Sequence, residues 1–206
     1  MTHEIHAKTI LIATQNKKKQ AEMLEILKDV PGVLFCTTSQ FPFLPEVEED
    51  GKTFEENAIK KASTVAKACN TWAMADDSGL EIDALNGRPG IFSSRYAGPN
   101  ATDAENIEKV LSELRNVPKA RRTARFVCCV ALSGPEQVFF AVKGCCEGVI
   151  TEEPRGKRGF GYDPIFFVTD YHVTFAELSP SIKNNISHRA QALELFKKKL
   201  ASLVLR

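Results

Sequence analysis

The sequence predicts an α/β protein, in which a mixed β-sheet and its helices form one continuous unit bent around a cleft. Apolar, β-branched runs alternate with charged amphipathic segments through the first half of the chain, which favours strand–helix units. Two long β-like runs in the second half are separated by a short turn, which favours a hairpin. The chain has no internal repeat and no linker-like segment, so we expect residues 1–206 to form a single domain.

The first half of the chain predicts three strands and three helices. Apolar spacing places Ala21, Leu24 and Leu27 on the inner face of the first helix. Thr53 and Thr102 each stand three residues before a Glu, and this capping-box pattern begins the second and third helices. The predicted strands cover residues 9–13, 33–36 and 72–76, and the predicted helices cover residues 17–28, 53–69 and 102–115.

The second half predicts the hairpin, one more strand and a long final helix. The hairpin strands cover residues 124–132 and 138–150, and residues 133–136 contain the Gly-Pro pair typical of a turn. A short strand follows near residues 165–168. The helix over residues 187–203 buries an apolar stripe formed by Ala190, Leu193, Phe196, Leu200 and Leu203.

The composition argues against several classes of protein. With 27 basic and 26 acidic residues, the net charge of +1 favours neither nucleic acid nor a membrane surface as a partner. No apolar run approaches the ~20 residues of a membrane span, and residues 1–6 lack a signal-peptide core, so we expect a cytoplasmic protein. Four of the six cysteines form adjacent pairs in apolar runs and none has C-x-x-C spacing, which predicts buried, reduced thiols.

Two adjacent carboxylates, Asp76 and Asp77, end the third predicted strand. Neighbouring acids repel each other, and a bound cation is the usual reason to keep them together. A hard ion such as Mg²⁺ takes carboxylate oxygens together with substrate phosphates, so the first hypothesis is chemistry on a phosphorylated ligand at this strand end. The alternative is a solvated turn in which Asp77 caps the next element.

The turn between the first strand and the first helix carries hydroxyl, amide and ammonium donors. It consists of Thr14, Gln15, Asn16, Lys17, Lys18 and Lys19. Free N–H groups and the helix dipole make such a place attractive to phosphate, although the Walker A spacing is absent. An ordinary N-capped helix is the alternative.

Two later segments have the residue types that bind a purine base. Phe160 lies between Gly159 and Gly161, so its ring is free to lie flat on a base, or else to cap the core from a turn. His188 and Arg189 stand at the predicted start of the last helix, where Arg can donate in bidentate fashion to a keto oxygen and a ring nitrogen. A solvated helix start is the alternative for this second segment.

Six motifs in order, between Thr14 and Ala192, resemble the inosine triphosphate pyrophosphatase family. They are T-x-N-x-x-K, E-N-A-x-x-K-A, D-D-S-G-L, P-G-x-x-S-x-R-Y, G-F-G-Y-D-P and S-H-R. The resemblance implies a long mixed sheet flanked by helices, with two lobes around a central cleft, and a homodimer. It also implies Mg²⁺-dependent hydrolysis of the purine nucleoside triphosphates ITP, dITP and XTP to the monophosphate and pyrophosphate, which cleanses the nucleotide pool before incorporation into DNA or RNA.

The same resemblance implies a role for each residue that matches a motif. Glu49 and Asp77 are the implied Mg²⁺ ligands, with Asp77 also accepting the proton of the attacking water; Glu46, Glu48 and Asp50 are neighbouring candidates for the first ligand. The implied substrate-binding residues are Thr14, Asn16, Lys19, Lys61 and Arg95 for the triphosphate, Phe160, Gly161, Tyr162 and Asp163 for base and sugar, Lys183, His188 and Arg189 for the purine edge, and Ser78 as a lining residue.

Members of this family usually carry Gly where this chain has Gln15. If that glycine takes a positive φ or lets phosphate come close, Gln15 is either strained there or changes the approach of the phosphate.

Two other functions remain open at this point. A nucleotide-binding sensor would keep the pocket without turnover, although a binding protein gains little from a metal ligand placed to activate water. An aspartyl-phosphate phosphatase needs a D-x-D pair, whereas this chain has D-D at residues 76–77. The first product, pyrophosphate or orthophosphate, separates the two enzymes.

Overall fold

The computed structural model describes residues 8–41 and 44–204; the segment considered above for a signal peptide lies outside them. The described chain divides into two compact units. The first comprises the described residues of Met1–Asp77, Cys129–Lys143 and Ala192–Arg206, and the second comprises Ser78–Cys128 and Gly144–Gln191.

Within residues 8–41 and 44–204, seven strands form a mixed sheet in the order β2-β1-β3-β4-β5-β6-β7. The strands are β1 (Lys8–Ile12), β2 (Val33–Thr37), β3 (Trp72–Ile82), β4 (Thr123–Ser133), β5 (Val138–Ile150), β6 (Phe166–Val168) and β7 (Val173–Thr174). The first strand runs parallel to both β2 and β3, whereas β6 runs antiparallel to both β5 and β7. The predicted α/β class with a long mixed sheet and flanking helices is therefore confirmed.

Five α-helices accompany the sheet in the described part of the chain. They are α1 (Lys17–Leu27), α2 (Phe54–Cys69), α3 (Asp103–Glu113), α4 (Pro180–Ile186) and α5 (His188–Val204). The hydroxyl of Thr53 accepts from the Glu56 N–H at the start of α2. Thr102 and Glu105 form a complete capping box at the start of α3, as the sequence predicts. Within the described residues, no helix combines the length and apolar character needed to cross a membrane.

Two predicted features are wrong. The third strand does not end at Asp76 but continues to Ile82, so the acidic pair lies in the middle of β3; Ser78 and Gly79 look like a turn in sequence, yet Leu80 and Ile82 are buried and extend the strand. In α1 the buried residues are Met23 and Leu27, while Ala21 and Leu24 are exposed.

The sequence predicts the C-terminal region in part. The predicted final helix, from about Ser187 to Leu203, is confirmed as α5, and Ser187 itself has extended backbone between α4 and α5. The short helix α4 and the two-residue strand β7 were not predicted. Both are too short to produce a recognisable periodic pattern.

Each unit has its own apolar core. In the first unit, Leu11, Cys36, Val65, Ala66 and Ala73 bring together β1, β2, α2 and β3. The core of the second unit packs strand residues such as Leu80 and Phe166 against α3 residues such as Val110. The six cysteines all lie in the described part of the chain, none of them forms a disulfide, and four of them are buried.

Candidate active site

The first unit holds a cluster of carboxylates and lysines, here called the carboxylate cluster. It consists of Lys19, Glu49, Asn57, Lys61, Asp76 and Asp77. Asn57 and Lys61 stand four residues apart on α2, and that spacing places both side chains on the face that meets β3. Lys61 Nζ lies 2.9 Å from Glu49 Oε1 and 3.5 Å from Asp77 Oδ1. Asn57 Nδ2 donates to Asp77 Oδ2 over 2.9 Å.

The two adjacent carboxylates of β3 pair with different lysines. Asp76 Oδ2 lies 2.9 Å from Lys19 Nζ, and the Asp76 carboxylate is completely buried. Asp77 faces Lys61 instead, since successive side chains of a strand point to opposite faces. The adjacent charges are thus separated onto two faces of the sheet, and each is compensated by a lysine from a different helix.

Burial and neighbouring charges shift the pKa values in this cluster. Burial raises the pKa of Asp77 above its usual value, the Glu49 charge adds to that rise, and Lys61 and Asn57 oppose it. For Lys61, burial lowers the pKa, but three surrounding carboxylates raise it by more, so its ammonium stays charged. Asp77 is therefore a stronger base than an ordinary aspartate and lies beside a permanent cation.

The oxygen ligands of this cluster suit a divalent cation. Across residues 8–41 and 44–204, no group of three or more His, Cys, Asp or Glu side chains comes together as a complete metal site. The Lys61 ammonium, however, contacts both Glu49 and Asp77, which shows that one positive charge can reach both carboxylates. Two carboxylates completed by substrate phosphates are the ligand set that Mg²⁺ prefers.

The turn before α1 is built around its N-cap. The Asn16 side chain accepts from the N–H groups of Lys18 and Lys19, at 3.0 and 3.2 Å, and Thr14 Oγ1 accepts from the Asn16 N–H. Because these N–H groups already donate to side chains, the turn forms the ordinary N-capped helix start that the sequence offered as an alternative to a phosphate site. Lys17 and Lys18 are exposed, whereas Lys19 reaches Asp76. Lys19 thus connects this turn to the acidic pair of β3.

Gln15 is not strained by its backbone conformation. Among the described residues other than glycine, a positive φ occurs at Asn70, Asn86 and His172 only. Gln15 is exposed and lies outside that group. The positive φ that would strain Gln15 is therefore absent, whereas the effect of Gln15 on the approach of phosphate stays a prediction.

The second unit holds an aromatic and cationic cluster around the loop 159–163, here called the base loop. The Phe160 ring is half-buried, with Lys183 Nζ 4.8 Å and the Arg189 guanidinium carbon 5.7 Å from its centroid. Lys183 also donates to Asp163 Oδ2 over 2.6 Å in a buried ion pair. The base loop and the segment that contains Lys183 and Arg189 were both identified in the sequence, and they lie together in the second unit.

The start of α5 is not a solvated helix start, so that alternative is wrong. His188 and Arg189 are 4 % and 1 % exposed. Arg189 Nη2 donates to Ser78 Oγ over 3.0 Å, which links α5 to the polar part of β3. Burying a guanidinium is costly unless it is hydrogen-bonded, and the bond to Ser78 offsets part of that cost.

Two predicted substrate-binding residues have other contacts. Tyr162 is buried in the core of the second unit and donates its hydroxyl to the Ser93 carbonyl oxygen over 2.8 Å; burial raises the pKa of this phenol above its usual value. Arg95 lies over the ring of Phe92, 5.3 Å from its centroid, in the second unit.

Sequence reasoning missed two residues that shape the clusters. Asn57 belongs to the E-N-A motif, and its place four residues before Lys61 was the available signal. Phe126, on β4, stacks on the His188 ring with centroids 4.6 Å apart and planes 11° apart. Nothing in the local sequence distinguishes Phe126 from an ordinary core residue of a strand.

Comparison with known proteins identifies the family of this chain. The model of the Ham1 family matches residues 10–199. A dITP/XTP pyrophosphatase of Bacillus subtilis is 53 % identical over 197 residues, covering 96 % of this chain and 97 % of the relative, and one of Geobacter sulfurreducens is 51 % identical over 188 residues, covering 91 % and 94 %. A solved HAM1 protein of Coxiella burnetii has a TM-score of 0.86 and 49 % identity, covering 95 % of this chain and 99 % of its own. The chain belongs to the Ham1 family.

Proposed function

We propose that this protein is a nucleoside-triphosphate pyrophosphatase that hydrolyses ITP, dITP and XTP to the nucleoside monophosphate and pyrophosphate, and so removes aberrant purine nucleotides before they enter DNA or RNA. The names of the relatives at about 50 % identity support this substrate class. The observation that carries the proposal is the setting of Asp77, a buried carboxylate between a lysine and an amide donor.

The carboxylate cluster is the proposed site of the triphosphate. Lys19 and Lys61 are the cations that would hold it, with the polar side chains of Thr14, Gln15, Asn16, Lys17 and Lys18 beside them. Glu49 and Asp77 would bind Mg²⁺, which supplies charge neutralisation on the phosphates and lowers the pKa of a bound water. We place Arg95 among the triphosphate donors on the family motif alone.

Asp77 has the properties of the proton acceptor. Its raised pKa makes it a better base for the attacking water, and Asn57 fixes one of its oxygens so that the other stays oriented. The water oxygen forms the new bond to the α-phosphorus, its proton passes to Asp77, and the bond to the bridging oxygen breaks so that pyrophosphate leaves. The lysines compensate the charge that grows on this leaving group.

The cluster around the base loop is the proposed purine site. Phe160 offers a ring for stacking on the base, and the backbone of Gly161, Tyr162 and Asp163 lies beside it. Lys183, His188 and Arg189 are the proposed readers of the purine edge, with Ser78 as a lining residue. A 6-keto oxygen accepts from these donors, whereas the 6-amino group of adenine would place donor against donor.

Assembly and location follow the family resemblance. We propose a cytoplasmic homodimer with a nucleotide as its partner, rather than nucleic acid or a membrane. The near-neutral charge of the chain supports this choice.

One assay tests the proposed function against its alternatives. A panel of ITP, dITP, XTP, ATP and GTP is incubated with the protein and Mg²⁺ or Mn²⁺, and pyrophosphate and orthophosphate are measured separately. We expect pyrophosphate as the first product from the keto purines and little from ATP. Orthophosphate first would indicate a phosphatase, and tight binding without turnover would indicate a sensor; either result contradicts the proposal.

A further inference from the structure

We propose that Asp103, the first residue of α3, is a positioning residue that holds the base loop so that the ring of Phe160 faces the purine. This inference rests on the proposed function, because it assigns a task within the purine site. Asp103 lies outside the motifs discussed above, apart from its place inside the Thr102–Glu105 capping box.

The contact is a hydrogen bond between two elements far apart in the sequence. The Gly161 N–H donates to Asp103 Oδ2 over 2.8 Å, across 58 residues of chain. Gly161 has a φ of +59°, and a Cβ added there would meet nothing within 4 Å. Glycine is therefore required at this position by backbone conformation and not by lack of space.

A second carboxylate holds the preceding amide. The Phe160 N–H donates to Asp163 Oδ2 over 2.9 Å, and this carboxylate is buried and paired with Lys183. The N–H groups on both sides of the Phe160 Cα are thus fixed, one by Asp163 from within the loop and one by Asp103 from outside it. Two fixed peptide planes determine the direction of the bond from Cα to Cβ, and with it the position of the ring.

Helix α3 is a rigid support for the Asp103 carboxylate. The complete capping box of Thr102 and Glu105 fixes the first turn of α3. The helix dipole also stabilises a carboxylate at the first helical residue, which helps to keep the Asp103 side chain in this position. A loop held in advance loses less conformational entropy when a base stacks on it, and so it binds the base more tightly.

The test separates base binding from phosphate binding. Isothermal titration gives the Kd of inosine monophosphate and the Kd of inorganic tripolyphosphate for wild-type protein and four variants. Asp103→Ala removes the acceptor oxygen, and Asp103→Ser leaves a shorter side chain whose hydroxyl does not reach the Gly161 N–H. Asp103→Asn keeps an acceptor oxygen without the charge. Glu105→Ala removes a charge and the capping box from the same helical turn, but it does not touch the base loop.

We expect Asp103→Ala and Asp103→Ser to raise the Kd of inosine monophosphate about fivefold to tenfold, the effect of losing one hydrogen bond at an exposed site. Asp103→Asn and Glu105→Ala should stay within about twofold of wild type, and the Kd of tripolyphosphate should be equally constant in every variant. The KM for ITP should rise with the Kd of the monophosphate, while kcat changes little.

Three results would overturn the inference while leaving the proposed function intact. The first is an unchanged Kd of inosine monophosphate in Asp103→Ala. The second is an equal rise of that Kd in Glu105→Ala, which would mean that Asp103 acts only through the stability of α3. The third is an equal rise of the Kd of tripolyphosphate in Asp103→Ala. Wild-type protein that binds neither inosine monophosphate nor ITP would overturn the proposed function, and this inference with it.

Discussion

The carboxylate cluster and the cluster around the base loop are organised by different physical means. In the carboxylate cluster, ionised side chains from α1, α2 and β3 hold one another, as Lys61 does with Glu49 and Asp77. Around the base loop, backbone conformation decides the geometry, because Gly159 and Gly161 have positive φ and carboxylates accept from loop N–H groups. The first cluster should therefore be sensitive to changes of charge, and the second to changes of shape and hydrogen-bond pattern.

The largest expected effect comes from the charge of Asp77. Asp77→Asn should lower kcat by on the order of 10²-fold or more with the fold intact, because the amide is no base and a poor Mg²⁺ ligand. Steady-state pyrophosphate release from ITP measures it. Asp76→Asn is the matched control on the same strand and should be milder, since Asp76 faces Lys19. Near-normal turnover by Asp77→Asn would refute the assignment.

The next largest effect concerns the cluster around the base loop and its selectivity for the base. Arg189→Ala should remove most of the activity on ITP but barely change an ATP rate that we expect to be at least two decades lower in kcat/KM. The ratio of the two kcat/KM values should then collapse, because the lost donors contact only a keto purine. Arg189→Lys should restore little of it, since an ammonium lacks the bidentate fork.

The opposite result for Arg189 has a clear meaning. If Arg189→Ala lowers the rates on ITP and ATP by the same factor, the guanidinium supports phosphate binding or the fold. Selection of the base would then have to lie with Phe160 and its neighbours. The assignment of base selection to Arg189 and of phosphate binding to the carboxylate cluster would be wrong in that case.

A smaller effect, about tenfold, is expected for Lys19. Lys19→Ala should raise the KM for ITP while leaving the Kd of inosine unchanged, since an ammonium contributes only where the phosphates lie. Lys67→Ala, at an exposed position of α2, is a control in the same unit and should change neither value. Equal changes in the two constants for Lys19→Ala would make Lys19 a structural partner of Asp76 and would remove the turn before α1 from the phosphate site.

The sequence predicted the parts of this molecule that depend on local patterns. The capping residues Thr53 and Thr102 and the apolar run of β1 were readable because neighbours in sequence determine them. The acidic pair was recognised, but its place within β3 was not, because Ser78 and Gly79 look like a turn until the burial of Leu80 and Ile82 is known.

The tertiary contacts of the site could not be read in the same way. Asp103 reaches Gly161 across 58 residues, and the Phe126 ring stacks on His188 from another element. Neither contact leaves a periodic or compositional pattern in the local sequence. The family resemblance supplied the residues proposed to touch substrate, whereas the residues that contact and hold them appear only when the chain is folded.

The smallest expected effect concerns stability and pH, and it returns to the carboxylate cluster. Burial raises the pKa of Asp77 in the folded protein above the value of an unfolded chain. A group with a raised folded pKa stabilises the fold while it is protonated, and this contribution is lost as the pH rises through the folded pKa.

At pH 7 the ionised Asp77 therefore destabilises the folded protein, and an asparagine of the same shape avoids this destabilisation. Without Mg²⁺, Asp77→Asn should be more stable than wild type at pH 7, by on the order of 1 kcal/mol, with the difference shrinking as the pH falls towards 4. Urea unfolding at several pH values measures this difference, and Asp29→Asn at an exposed position of the same unit is the control. A variant that is less stable than wild type at pH 7, with a deficit that grows as the pH rises, would show that the ion pair with Lys61 outweighs burial, and that the charged cluster stabilises the first unit even without its ligand.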